Sequence, residues 1–185
     1  MAEYYLISQL PSLDEIGESA PVPITEERFF ELCQRFLKKK AQDVIESLTL
    51  TPPKDGESTG SCLVDAFYES ERALRMALGK IRAEKLKKSF DTEIPPLLAE
   101  HTRAASTASD MENPMEAERF LTRYRLEMLE ALRPLDSFSE DYIFYYGLKL
   151  KLISRIKSFN TQIGEEAYKN IYNSILTGER LEEQQ

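Results

Sequence analysis

Few residues in this sequence have side chains that could do chemistry, and they are widely spaced. The one histidine, His101, stands beside Glu100. No second histidine and no nearby cysteine completes the set of groups that a metal ion or an activated nucleophile needs. A surface position is therefore favoured for His101 over a catalytic one. We predict no catalytic, cofactor-binding or metal-binding residues.

The two cysteines, Cys33 and Cys62, lie in different segments of the chain. The sequence begins with Met-Ala-Glu-Tyr, without the basic region and apolar run of a secretory signal. We therefore expect a cytoplasmic protein with reduced, buried thiols, and a disulfide between them is the less favoured alternative.

Two further patterns do not predict a site. The stretch GESTGSC, residues 56–62, resembles a phosphate-binding loop but lacks the lysine and the magnesium-binding hydroxyl at its end. Nucleotide binding is therefore rejected there. Glu116, Glu118, Glu127 and Glu130 fall beside or opposite the apolar stripe of one predicted helix, as solvating charges do.

Lys149 is a charge within the apolar stripe of the most apolar stretch, residues 137–160. A lysine there must be paired, extend past the apolar contacts, or lose its charge. We predict a buried structural charge held by an ion pair. A catalytic lysine is less favoured because it would need a pocket and a second functional group. The apolar positions of this stripe, spaced three and four apart, are Tyr142, Tyr145, Tyr146, Leu152, Ile153 and Ile156.

A basic flank marks the second long helix of an otherwise acidic chain. Residues 61–90 hold seven basic and four acidic side chains, a net charge of +3 within a chain of net charge -8. This contrast favours an acidic counterpart, either another helix of the same fold or a partner protein. The candidates for a partner interface are Arg72, Arg75, Arg82 and Lys85.

Periodicity and end signals predict the helices that carry these residues. The central helix, 137–160, should begin at a Ser137–Glu140 capping box and be contacted from two or three directions. Thr25 should cap a helix that continues to residue 48, with a bend or break at Lys38–Lys40, and Asn113–Pro114 should start another. Further helices are predicted from 63 to 88, over the stretch LLAEHTRAA and around 167–176, with a polar loop at STASDMEN.

The fold class is predicted as all-α, an irregular bundle of five or six helices. The apolar run YYLISQL, residues 4–10, is closed by Pro11 and is expected to be a short extended segment. Residues 1–178 should form a single domain with a flexible loop at 51–61, and residues 179–185 a disordered tail.

Composition limits the partners. The chain has 32 acidic and 24 basic residues, which argues against nucleic-acid binding because phosphates require a basic surface. Its most apolar run is cut by Lys149, Lys151 and Arg155, so direct membrane insertion is not expected.

Three segments together carry a family resemblance: LRMALGKIRAEKLKK at 74–88, NPMEAERFLTRYRLEMLEAL at 113–132 and YYGLKLKLISRIKSF at 145–159. They resemble a family of small helical proteins that are encoded with bacterial V-type ATP synthase subunits and are distantly similar to the rotor cap of these enzymes. The resemblance implies an all-helical, non-catalytic component that joins the central stalk to the membrane ring. The positions that match the family pattern are Arg75, Arg82, Glu116, Glu118, Lys149 and Arg155.

Three functions follow as hypotheses. The leading one is a structural or assembly subunit of a V-type ATP synthase, with partners in the central stalk or membrane ring and a peripheral place at the inner membrane through them. The alternative is a free-standing cytoplasmic helical adaptor or regulator. An enzyme with a site in a helical bundle is the third, and the sequence offers it no metal-ligand motif such as Glu-x-x-His.

Overall fold

A computed structural model of the chain describes residues 2–14, 21–53, 58–90 and 99–158, with Lys169, Ile171 and Tyr172. Within these ranges the chain forms seven α-helices and no strand, so the all-α prediction is confirmed and the number of five or six helices is too low. The helices are α1 Ala2–Gln9, α2 Glu26–Phe36, α3 Lys39–Ser47, α4 Cys62–Lys85, α5 Ala99–Asp110, α6 Pro114–Ala131 and α7 Glu140–Ser158.

The N-terminal segment is α-helical, and the extended conformation predicted for residues 4–10 is wrong. A short apolar run has no periodicity that separates strand from helix. An isolated strand would leave its backbone groups without partners, whereas a helix satisfies them internally. In α1, Leu6 is fully buried and the Leu10 N–H donates to the Ile7 carbonyl, 3.1 Å away. Pro11 follows this end, as expected from the restriction that proline places on the preceding residue.

The break predicted near Lys38–Lys40 separates α2 from α3. Thr25 caps α2 by accepting a hydrogen bond from the Arg28 N–H, and Leu37 and Lys38 are extended. Gln42 stabilises the break because its side-chain amide donates to the carbonyls of Gln34 and Leu37, both at 2.8 Å. The chain therefore turns here without leaving these two carbonyls unsatisfied.

Helix α5 extends through a segment that was predicted to be a polar loop. Its apolar or weakly polar positions, His101, Ala104, Ala105 and Ala108, are buried at helical spacing. Alanine side chains let α5 lie close against α4, and this tertiary packing outweighs the low helix propensity of the intervening serines and threonines. The loop prediction for STASDMEN is therefore wrong up to Asp110.

Helices α6 and α7 match their predicted positions, with one change in capping. Asn113 accepts from the Met115 N–H and Pro114 opens α6. At α7 it is Ser139, and not Ser137, whose hydroxyl accepts from the Tyr142 N–H at 3.2 Å. The helix therefore begins later than the predicted box because Ser137 lies in the preceding turn.

The helices enclose two hydrophobic cores. Helix α7 lies at the centre of the first and packs against α2, α3, α4 and α6. A Cβ on Gly147 would meet Leu48 and Phe29 side-chain atoms at 3.1 Å, so α2 and α3 approach α7 closely there. We call the first the large core; its fully buried members include Leu6, Ile45, Val64, Phe67, Leu129, Ile143, Leu148, Leu150 and Leu152. The small core consists of Leu74, Ala77, Leu78, Ala104, Ala105, Ala108 and Leu121.

Some predicted segments lie outside the described residues. These include the tail 179–185, most of the last predicted helix and residues 54–57 of the predicted loop. The described residues on either side of that gap, 51–53 and 58–60, contain no helix. No helix in the described part of the chain is long and apolar enough to cross a membrane.

Candidate functional site

The predicted basic flank divides into residues tied to the fold and a more exposed end. Arg72 donates to the Pro53 carbonyl at 3.1 Å, and Arg75 donates to the Leu50 carbonyl at 3.2 Å. These two arginines therefore fix the segment that connects α3 to α4. Their hydrogen bonds make them poor candidates for a freely available partner surface.

The C-terminal end of α4 carries the rest of the flank. Lys85 reaches the Ser109 carbonyl and the Asp110 carboxylate of α5, with Nζ–O distances of 2.5 and 2.8 Å. The Arg82 side chain is exposed and forms no salt bridge with the described part of the chain. We call this exposed surface the basic end of α4; it comprises Lys80, Arg82, Lys85, Lys87 and Lys88.

A fully buried carboxylate, Glu71, lies between two arginines. Arg125 of α6 binds it through two nitrogens, with Nε–Oε2 and Nη2–Oε1 distances of 2.9 and 3.2 Å. Arg75 donates to the same carboxylate from one turn along α4, with an Nε–Oε1 distance of 2.6 Å. A buried carboxylate must be paired, and here two guanidinium groups supply the charge and the hydrogen bonds.

The pairing continues from α6 to α7. Glu118 accepts from Arg155 at 2.7 Å and lies 3.5 Å from an Arg125 nitrogen. Positive and negative groups therefore alternate across three helices. We call this set the ion network; it comprises Arg75, Glu71, Arg125, Glu118 and Arg155.

Sequence reasoning missed the Glu71–Arg125 pair, although a signal for it exists. Glu71 lies midway between Phe67 and Leu74 in the apolar stripe of α4, and Arg125 lies four residues after Leu121 in that of α6. A charge within an apolar stripe is the signal that singled out Lys149. Glu118 is also not the solvating charge that was predicted, because it is partly buried and shared by two arginines.

Lys149 lies at the edge of the large core with its side chain 13% exposed. Its ammonium group is 2.5 Å from the Asp14 carboxylate, 3.4 Å from Glu130 and 3.2 Å from the Tyr145 hydroxyl. Tyr145 in turn donates to Glu130, so this carboxylate also departs from the predicted solvating role. The cluster joins α6 and α7 to the segment that follows α1.

The pKa shifts of this cluster indicate a charged lysine. Burial would lower the pKa of Lys149, but hydrogen bonds to Asp14 and Tyr145 and the Glu130 charge outweigh burial and raise it. Burial and the hydrogen bond to Glu130 together raise the pKa of Tyr145 to about 12. A lysine with a raised pKa stays protonated and is unsuited to act as a base at neutral pH.

His101 is buried, so the predicted surface position is wrong. Its Nδ1 lies 2.8 Å from the Tyr124 hydroxyl, and the two rings meet edge to face. Burial lowers the pKa of His101, although the charges of Glu100 and Glu71 oppose the shift. The ring is therefore a packed polar member of the contact between α5 and α6.

The two cysteines are both free thiols, but only one is buried. Burial raises the pKa of the Cys33 thiol to about 12, which makes it a poor nucleophile. Cys62 is exposed at the start of α4, so the prediction of two buried thiols fails for this residue. The apolar pattern around Cys62 did not reveal that its side chain faces outward in the first helical turn.

An open groove of about 500 Å³ runs along the C-terminal half of α7. Its basic groups are already paired, since Lys151 lies 2.8 Å from Glu26 and Arg155 lies 2.7 Å from Glu118. Among the described residues, no group of three His, Cys, Asp or Glu side chains is placed to hold a metal ion. The arrangements found here stabilise contacts between helices and hold charges in fixed positions.

Comparison with known proteins gives one family match. Residues 91–179 match the model of a family described as "Protein of unknown function (DUF2764)". The matched range includes α5, α6 and α7, and so two of the three segments that carry the resemblance described above. The match links the chain to that description and to no ATP synthase component. No curated protein and no solved structure matches the chain.

Proposed function

We propose that the protein is a non-catalytic structural or assembly subunit of a bacterial V-type ATP synthase, similar to the rotor cap, that links the central stalk to the membrane rotor. The proposal begins with the resemblance of segments 74–88, 113–132 and 145–159. These segments fall mainly on α4, α6 and α7. The three helices also pack against one another.

The observation that carries the proposal is the ion network. It joins the same three helices through Glu71, Arg125, Glu118 and Arg155. A component that transmits torque must not shear between its helices. Sliding α6 along α4 would separate Glu71 from Arg125 and leave a buried charge unpaired, which is strongly unfavourable. The network therefore favours a body that moves as one unit.

The partner contact is assigned to the basic end of α4. Arg72 and Arg75 bind residues 50–53 of the chain itself, whereas the side chains of Arg82 and Lys88 are exposed. Force transmission without chemistry requires a broad complementary surface, so the partner surface in the stalk or ring should be acidic. The protein would then be cytoplasmic and held at the inner membrane through this partner.

The test is affinity purification of the tagged full chain from its native host, followed by mass spectrometry of the proteins that accompany it. We expect proteins of the central stalk or membrane ring. Arg82→Glu/Lys88→Glu should reduce their recovery, most strongly at low ionic strength, because exposed charges act through screened interactions. Arg75→Glu is unsuitable because it places a carboxylate beside buried Glu71.

The matched control is Arg28→Glu/Lys39→Glu, which reverses two exposed charges on α2 and α3. Circular dichroism should show that both variants stay helical. Equal loss of partners in the control would remove the basic end of α4 from the interface. A wild-type chain that recovers no part of the ATP synthase would contradict the proposal, and a different reproducible partner would favour the adaptor hypothesis.

A further inference from the structure

A second exposed surface lies where α1 meets the turn between α6 and α7. Four large apolar side chains are exposed there: Tyr4 by 56%, Tyr5 by 59%, Leu135 by 104% and Phe138 by 53%. We call these four residues the aromatic patch. Contiguous exposed apolar groups on a folded protein commonly mark an interaction surface, whereas single ones do not.

The aromatic patch has a defined geometry. The rings of Tyr4 and Phe138 are stacked with centroids 5.0 Å apart, and Tyr5 meets Tyr4 edge to face. The turn itself is fixed by Asp136, whose carboxylate accepts from the Phe138 N–H at 2.9 Å and whose carbonyl accepts from the Ser139 hydroxyl at 2.8 Å. A surface held in this way loses little conformational freedom when a partner binds.

The elements that carry the patch are anchored in the large core. Leu6, on the opposite side of α1, is fully buried. The Tyr146 hydroxyl of α7 donates to the Pro11 carbonyl just beyond α1 at 2.8 Å. The exposed rings are therefore presented by a segment that is itself well fixed.

The charges near the patch are mainly acidic. Asp136 and Glu140 lie on either side of Phe138 in the sequence, and Glu3 precedes Tyr4. The neighbouring basic residue, Arg133, is occupied by Glu130 at 3.0 Å. An apolar centre with an acidic rim complements an apolar surface with a basic rim.

We propose that the aromatic patch docks a helix of another protein whose apolar side chains are flanked by lysine or arginine. A second copy bound through the same patch would bring the two acidic rims together, which is unfavourable. The basic end of α4 is a separate surface, and the docking does not depend on the ATP synthase assignment. The chain would then have two contact surfaces of opposite charge.

The probe is a synthetic amphipathic peptide of about five helical turns with a leucine stripe flanked by lysines. Its counterpart carries glutamate at every lysine position. Fluorescence anisotropy of each labelled peptide with the full chain gives the affinity, and amide chemical-shift changes in NMR spectra give the location. The lysine peptide should bind at least about tenfold more tightly than the glutamate peptide.

Variants separate docking on the patch from general attraction to an acidic chain. Phe138→Ala and Tyr5→Ala should each weaken binding of the lysine peptide by about tenfold, as truncation of an aromatic anchor does. The matched control is Leu86→Ala, which removes another exposed apolar side chain, 67% exposed, within the basic end of α4. It should leave the affinity unchanged, and Tyr5→Ala decides the matter if Phe138→Ala folds poorly.

Three results would overturn the proposal. Both patch variants could bind the lysine peptide as tightly as the wild type does. The chemical-shift changes could lie away from α1 and residues 133–141. Sedimentation could show a wild-type dimer that Phe138→Ala abolishes, which would make a second copy the occupant. None of these readouts involves the ATP synthase, so this proposal and the proposed function can fail separately.

Discussion

The large core and the small core of this protein are built from different materials. The large core is filled by Leu, Ile, Val, Phe and Tyr side chains around α7. Alanines supply most of the small core, which lets α4 and α5 approach closely and leaves space for a buried histidine. The large core therefore gains its stability from buried apolar area, whereas the small core depends on close fit and on polar pairs.

The ion network lies at the boundary between the two cores. In α4, Glu71 follows Phe67 of the large core and precedes Leu74 of the small core; in α6, Arg125 lies between Leu121 of the small core and Leu129 of the large core. A buried pair there requires that the two cores form in a single register. The comparison teaches that the cores should respond differently to substitution while this pair couples them.

The largest effect is expected from Glu71→Gln, because it leaves Arg125 buried without its carboxylate partner. Urea denaturation should show a loss of about 4 kcal/mol in the free energy of unfolding, as expected for an orphaned buried charge. Glu71→Leu/Arg125→Met, which replaces both groups by apolar ones, should recover most of this stability. The exposed pair offers the control, and Glu31→Gln should cost at most about 0.5 kcal/mol. If Glu71→Gln cost no more than the control, the pairing would have no structural importance.

Overpacking should distinguish the small core from its surface. Ala105 is fully buried, so Ala105→Leu should lower the free energy of unfolding by about 2 kcal/mol through displacement of α5 from α4. Thr107→Leu introduces the same side chain at an exposed position of α5 and should have little effect. Equal unfolding midpoints for the two variants would show that α5 is loosely packed.

A smaller effect is expected from pH, and it should arise in the small core. Burial lowers the pKa of folded His101 below the unfolded value of about 6.5, so the unfolded chain binds the proton more strongly. The stabilising contribution is fully present above the unfolded pKa and is lost as the pH falls through the folded pKa. His101→Gln cannot titrate and should remove this part of the pH dependence.

The measurement is the urea midpoint of wild type and His101→Gln between about pH 7.5 and 5, a range that spans the titration of histidine. The groups that face the ring are Glu100, Glu71 and Tyr124, and all three are retained in the variant. Their contributions should therefore largely cancel in the difference. Parallel pH profiles for the two proteins would contradict a buried neutral histidine.

The smallest effect is expected at Lys149, a paired charge at the edge of the large core. Its acidic partners Asp14 and Glu130 have side chains 55% and 46% exposed. Water can therefore solvate either carboxylate when the lysine is removed. Lys149→Met should change the free energy of unfolding by less than about 1 kcal/mol in urea denaturation, in contrast to Glu71→Gln. A loss as large as that of Glu71→Gln would show that exposure of the partners does not govern the cost.

The helices with strong end signals could be predicted from the sequence. Thr25, Asn113 and Pro114 sit where local chemistry starts a helix, and the structure places α2 and α6 there. The N-terminal helix could not be predicted because the short apolar run fits two backbone conformations, and the choice depends on the surface that Leu6 meets. Local propensity also failed for α5, since contacts with α4 determine its length.

The candidate site was less predictable because its partners come from distant parts of the chain. The i to i+4 pairing of Glu71 with Arg75 could be foreseen, but Arg125 lies 54 residues away and its approach depends on how α6 packs on α4. The sequence could have shown that two charges lie within apolar stripes. It could not show that they meet each other.

Hydrogen exchange of the wild type and Glu71→Gln most directly tests the claim that the buried pair joins the two cores into one unit. Amides in the large core report on α7, and amides in the small core report on α5 and the adjoining halves of α4 and α6. We expect Glu71→Gln to lower protection strongly in the small core while α7 keeps most of its protection, because the pair no longer couples the two regions. Unchanged protection in both cores, or an equal loss in both, would contradict this claim.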